Sequence, residues 1–170
     1  MSAVRAGVLT GVLVLTVVLQ VAVFSVLSVD GVVPNLALVV VVGAALVRGP
    51  EVGAVLGFVG GLAIDLTPPA DHVAGRWALA LVVVGYLAGR VRHDAGTSAV
   101  GALVTVAACS FVGTSVFALS GMLLDDPAIP VTDALRVIPV AVLYDVLVTP
   151  FVLPLAMRLF RRMQPPQVAF

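Results

Sequence analysis

Short polar breaks cut this chain into six apolar stretches, and that division leaves it very little conformational choice. Inside lipid a backbone N–H or C=O cannot turn to water, so each stretch must satisfy its own hydrogen bonds as a helix. The breaks place helices at about 7–27, 34–47, 52–66, 76–89, 97–124 and 134–159. A full crossing takes about 20 residues. The second to fourth stretches are shorter and rich in glycine, so a five-span arrangement with a re-entrant piece stays open. Together the stretches occupy nearly all of the 170 residues, which reads as one integral membrane domain, 1–170, with no room for a soluble one. Only 11% of residues are charged, against roughly 25% in soluble domains. The predicted class is all-α, a polytopic six-helix membrane bundle. The run from Gly7 to Leu27 follows Arg5 as a signal peptide would. It is longer than a usual signal core and lacks an A-x-A-like site, so it reads as a retained span. Cys109 is the single cysteine and lies in an apolar stretch, so no internal disulfide forms. The absence of lysine and the abundance of Ala and Val suggest a GC-rich bacterial source.

Arginine placement orients the bundle. With the N-terminus inside, Arg5, Arg48, Arg90, Arg92, Arg158, Arg161 and Arg162 are cytoplasmic, and only Arg76 and Arg136 are outside. That asymmetry is what the positive-inside rule requires. Asp30, Asp71, Asp125, Asp126 and Asp133 fall on the outer side. An even number of spans then leaves both termini cytoplasmic, in a bacterial plasma membrane.

Gly49, Gly53, Gly57 and Gly61 stand four residues apart and lead to Asp65. Residues i and i+4 share a helix face, so the third stretch carries a bare groove ending in one carboxylate. Interior glycines weaken a helix in water by up to ~1 kcal/mol each, but in lipid small residues let helices approach closely. Gly60 adjoins this face, and Gly85 and Gly89 repeat the spacing, as do Ala3, Gly7 and Gly11. These positions are candidates for helix packing or a partner interface. Asp65 reads either as an interfacial acid reaching headgroup water or as a turn organiser accepting amides around Thr67–Ala70.

Asp145 lies near the middle of the sixth stretch. A charge there is costly and usually marks a bundle interior or a function. Three readings compete: an ion or proton relay, an interhelical hydrogen-bond network, and a partner contact. Asn35, Tyr144 and Asp145 form the candidate buried polar network, with Thr149 as a nearby donor. Pro34 suits a first helical turn. Pro139, Pro150 and Pro154 predict a kinked last helix. Ser110, Thr114 and Ser115 read as backbone-bonding or interface hydroxyls. No phosphate loop, nucleophile elbow or metal-ligand spacing is present, and His72 and His93 stand alone in loops. No catalytic residue, cofactor, metal or nucleic-acid partner is expected.

The order of motifs resembles the MreD family of bacterial rod-shape-determining membrane proteins. The matching pieces are Pro34-Asn35-Leu36, then Gly53…Gly57-Phe58-Val59-Gly60-Gly61…Asp65-Leu66. They continue with Ala78-Leu79…Gly85-Tyr86-Leu87-Ala88-Gly89-Arg90 and Tyr144-Asp145…Pro150…Pro154-Leu155…Arg158-Leu159. Two positions depart from the family pattern. Asp145 stands where Asn is usual, and Thr67-Pro68-Pro69 stands where a Gly follows the acid. The resemblance implies a fold like the six-helix substrate-binding subunit of energy-coupling-factor transporters. It also implies a non-enzymatic scaffold of the elongation complex, supporting cell shape and lateral peptidoglycan biosynthesis. The implied partners are MreC, RodA and a class B penicillin-binding protein, near MreB filaments; self-association stays open. The alternative is a small-molecule-binding transport subunit of the energy-coupling-factor type, with Asp71, His72 and Arg76 lining an outer pocket.

Overall fold

A computed structural model describes residues 3–24, 32–68, 73–95, 98–124 and 131–163. Among these the chain is helical throughout its long elements: α1 (Ala3–Leu19), α2 (Leu36–Arg48), α3 (Pro50–Asp65), α4 (Arg76–Arg90), α5 (Arg92–Ala95), α6 (Ala99–Leu123) and α7 (Val131–Arg162). A π-helical turn, Gln20–Phe24, continues α1. Two segments, α6 and Arg136–Arg162 of α7, are long and apolar enough to cross a membrane.

The centre is α2. Every residue from Leu36 to Leu46 is buried, as befits a helix that is apolar on all sides. Leu38, Val39, Val42 and Ala45 share one cluster with Leu81 and Val84 of α4, Val106 of α6 and Leu153 of α7. Val40, Val41 and Ala44 face a second cluster with Leu9 and Leu13 of α1 and Phe160 of α7. Many large apolar side chains point outward instead, among them Val100 and Phe111 on α6 and Phe151 and Leu155 on α7.

The helices alternate in direction. Gly49 alone joins α2 to α3, at φ +95°, a conformation that favours glycine. Pro50 then opens α3 with Glu51 in its first turn, both suited to a helix start. The guanidinium of Arg92 lies against Gly49, and Arg48 Nη1 donates to the Met163 carbonyl at 3.3 Å. The ends of α2, α4 and α7 therefore meet the start of α3 at one pole, rich in arginine. The Ser98 hydroxyl caps α6 by accepting from Gly101 N at 2.9 Å.

The structure shifts several expected boundaries. Asn35, not Pro34, starts α2, because its side chain accepts from Leu38 N at 3.0 Å and leaves Pro34 outside the helix. Arg48–Glu51 is a one-residue joint instead of a polar turn. The expected loop at Arg90–Gly96 contains the one-turn helix α5. α7 is one helix from Val131 to Arg162 with Pro139, Pro150 and Pro154 inside it, longer at both ends than the expected 134–159. Asp30, Pro69, Ala70, Asp71, His72, Gly96, Asp125, Asp126, Pro127 and Pro130 lie outside the described residues, as do residues 25–27 of the first stretch.

Candidate functional site

The glycine groove faces α4. A Cβ added at Gly53 would strike the Gly85 carbonyl, one at Gly57 the Leu81 carbonyl, and one at Gly61 the backbone of Trp77 and Ala78. From the other side, a Cβ at Gly85 would strike the Gly53 carbonyl and one at Gly89 the backbone of Pro50. The two helices thus touch backbone to backbone, which maximises dispersion contact and explains the four-residue spacing. The groove is filled by this chain itself. Gly49 belongs to the joint, since the residue before a proline is pushed out of the α region. Gly60 points elsewhere, with Leu13 Cδ2 3.4 Å from the position of its missing Cβ. Nothing lies within 4 Å of the Cβ positions of Gly7 and Gly11.

Asp65 closes this seam. It is 1% exposed, which removes the reading as an acid in headgroup water. Its Oδ2 accepts from Gly75 N at 2.9 Å and Ala78 N at 3.0 Å, and its Oδ1 from Trp77 N at 3.1 Å. Of the turn donors expected at Thr67–Ala70, Thr67 N bonds to the Ile64 carbonyl, and Pro69 and Ala70 lie outside the described residues. Asp65 therefore caps the start of α4, where four amides lack helical partners and the dipole favours an anion. Gly75 takes φ +98° to bring its amide round.

Arg76, which the transport alternative would set at the lining of an outer pocket, is 2% exposed. Its Nη2 and Nε donate to the Phe117 carbonyl at 2.7 and 3.3 Å. Its Cζ stands 3.9 Å over the Phe117 ring, and Gly121 leaves the room for it. Trp77 stacks on the same ring with centroids 4.5 Å apart. These contacts tie α4 to α6 at the pole opposite the arginine end.

Asp145 forms the second polar junction. Its Oδ1 accepts from Asn35 N at 2.7 Å and its Oδ2 from the Ser110 hydroxyl at 2.7 Å. Gln20 Oε1 accepts from Ala37 N at 3.2 Å. The start of α2 is thus capped by side chains from the π-helical turn after α1, from α7 and from Asn35 itself. Asn35 and Asp145 come together as predicted neighbours. Tyr144 is half-buried and takes no part, and the Thr149 hydroxyl donates to the Asp145 carbonyl, not its carboxylate. Ser110 and Gln20 complete the junction, and neither stood out as its member in the sequence. Thr114 bonds back to the Ser110 carbonyl at 2.6 Å.

Among the described residues no buried side-chain nitrogen or oxygen lacks a hydrogen-bond partner. No group of three His, Cys, Asp or Glu side chains there is placed to hold a metal ion. What the arrangement does chemically is fasten helices: each buried acid neutralises the start of one helix using a carboxylate from another. Comparison with protein families, curated proteins and solved structures finds no match.

Proposed function

We propose that this chain is a multi-pass protein of the bacterial plasma membrane, crossing it six times with both termini cytoplasmic. Its role is a non-enzymatic scaffold of the cell-wall elongation complex, as the resemblance to MreD implies. The observation that supports this reading most strongly is where the motif residues fall. Asn35, Gly53, Gly57, Gly61, Asp65, Gly85, Gly89 and Asp145 all lie at helix seams, each facing backbone or a hydroxyl of this chain. A scaffold needs a rigid shape, and these residues supply shape. Alternation of the helices and collection of Arg48, Arg92 and the end of α7 at one pole support the orientation.

The partners of this reading are MreC, RodA and a class B penicillin-binding protein. Because the glycine groove is occupied internally, partners are assigned to the outward face of α6, where Val100, Val104, Phe111 and Leu119 are exposed. Affinity capture of the tagged, detergent-extracted chain tests the reading. Recovery of MreC or RodA homologues is the expected result; repeated recovery of neither contradicts it.

A further inference from the structure

The end of α7 joins two features that the scaffold role leaves unused. Leu147, Phe151, Leu155, Arg158 and Arg162 recur at intervals of four, four, three and four residues, which places them on one helix face. The three apolar side chains are 57%, 80% and 70% exposed, and both arginines are exposed. The column runs ~22 Å along the helix axis at 1.5 Å per residue, more than one leaflet of a hydrocarbon core ~30 Å thick. Arg48 adds a third guanidinium, held at this end by its bond to the Met163 carbonyl, and Arg161 a fourth. No acid follows Asp145 in α7. The acids of neighbouring elements at this pole are Glu51 and Asp94, fewer than the arginines.

We propose that this face is a docking surface for an anionic phospholipid. Its phosphodiester sits at Arg158 and Arg162 with Arg48 beside them, and its acyl chains lie along Leu147, Phe151 and Leu155. The proposal rests on the membrane-spanning reading, not on the scaffold role. Guanidinium groups match phosphate oxygens in planar, two-point geometry. A lipid whose headgroup carries its own ammonium offsets that attraction. An acidic protein segment would satisfy the arginines but would leave the apolar column below them uncovered, so the amphiphile fits both parts.

The test is native mass spectrometry of the full chain, released from detergent with added phosphatidylglycerol or phosphatidylcholine. Phosphatidylglycerol should be retained preferentially. The double variant Arg158→Gln/Arg162→Gln should lower that preference about 30-fold, taking ~1 kcal/mol per arginine. The Lys/Lys pair should keep most of it, and Arg136→Gln, at the opposite end of α7, should keep all of it. Equal retention of the two lipids, or an unchanged preference in the double Gln variant, would overturn the proposal. So would displacement of the lipid by inorganic phosphate alone, which would mark a simple anion site. Carbonate washing of cell membranes separates the two readings. Release of the chain defeats membrane spanning itself, whereas a retained chain with no lipid preference defeats only this proposal.

Discussion

The α3–α4 seam and the α2–α6–α7 junction both end in a buried acid, yet they hold helices by different means. In the seam, glycines bring two backbones into contact, and Asp65 caps α4 with bonds from three amides. In the junction the glycines meet side chains, Gly43 of α2 facing Ala156 and Leu153 of α7 and Gly113 of α6 facing Leu38, and Asp145 reaches one amide and one hydroxyl. The difference is one of tolerance. An amide can only donate, so Asp65 must present acceptors at both oxygens. A hydroxyl can reverse its role, so one partner of Asp145 can adapt. Likewise a backbone cannot retreat from an added side chain, whereas side chains can repack.

Substitutions that target this contrast have graded effects. Gly57→Leu drives a side chain into the Leu81 carbonyl and should cost at least about 3 kcal/mol, read as loss of the monodisperse peak in detergent size-exclusion chromatography. Next comes Asp65→Asn, which sets an NH2 against an amide donor. It should cost about 1–3 kcal/mol, seen as a lowered midpoint in thermal unfolding followed by Trp77 fluorescence. Asp145→Asn should cost less, about 0.6 kcal/mol, since Nδ2 can donate to the rotated Ser110 hydroxyl. A midpoint for Asp145→Asn at or below that of Asp65→Asn would break the comparison. Gly60→Ala should change the midpoint least, within about 0.5 kcal/mol, because its new methyl finds ordinary contact near Leu13. A large loss there would mean that the seam extends round α3.

The seam was legible in the sequence because it is local: four-residue spacing fixes a helix face, and Gly85 and Gly89 mirror it on the next helix. Even the exception was written there, since Pro50 bars Gly49 from the helix. The junction was only half legible. An acid in an apolar helix announces a polar partner, but which hydroxyl meets it depends on how helices cross. Ser110 lies 35 residues from Asp145 and Asn35 lies 110 away. The burial of Arg76 was not legible for a related reason. At the outer end of its helix it reads as an accessible cation, and its burial follows from Phe117 and Gly121, a turn of α6 that the sequence does not bring near.

The scaffold reading requires these seams to be assembled inside a bilayer. Impermeant maleimide labelling of intact cells tests that directly, on a Cys109→Ala background with single exposed-site cysteines at Val73, His93 and Arg161. The arginine pole carries His93 and Arg161, and the Asp65 pole carries Val73. Labelling of Val73→Cys alone, with the other two modified only after permeabilisation, is the predicted result. Labelling of His93→Cys or Arg161→Cys in intact cells, or no labelling of Val73→Cys, would contradict it.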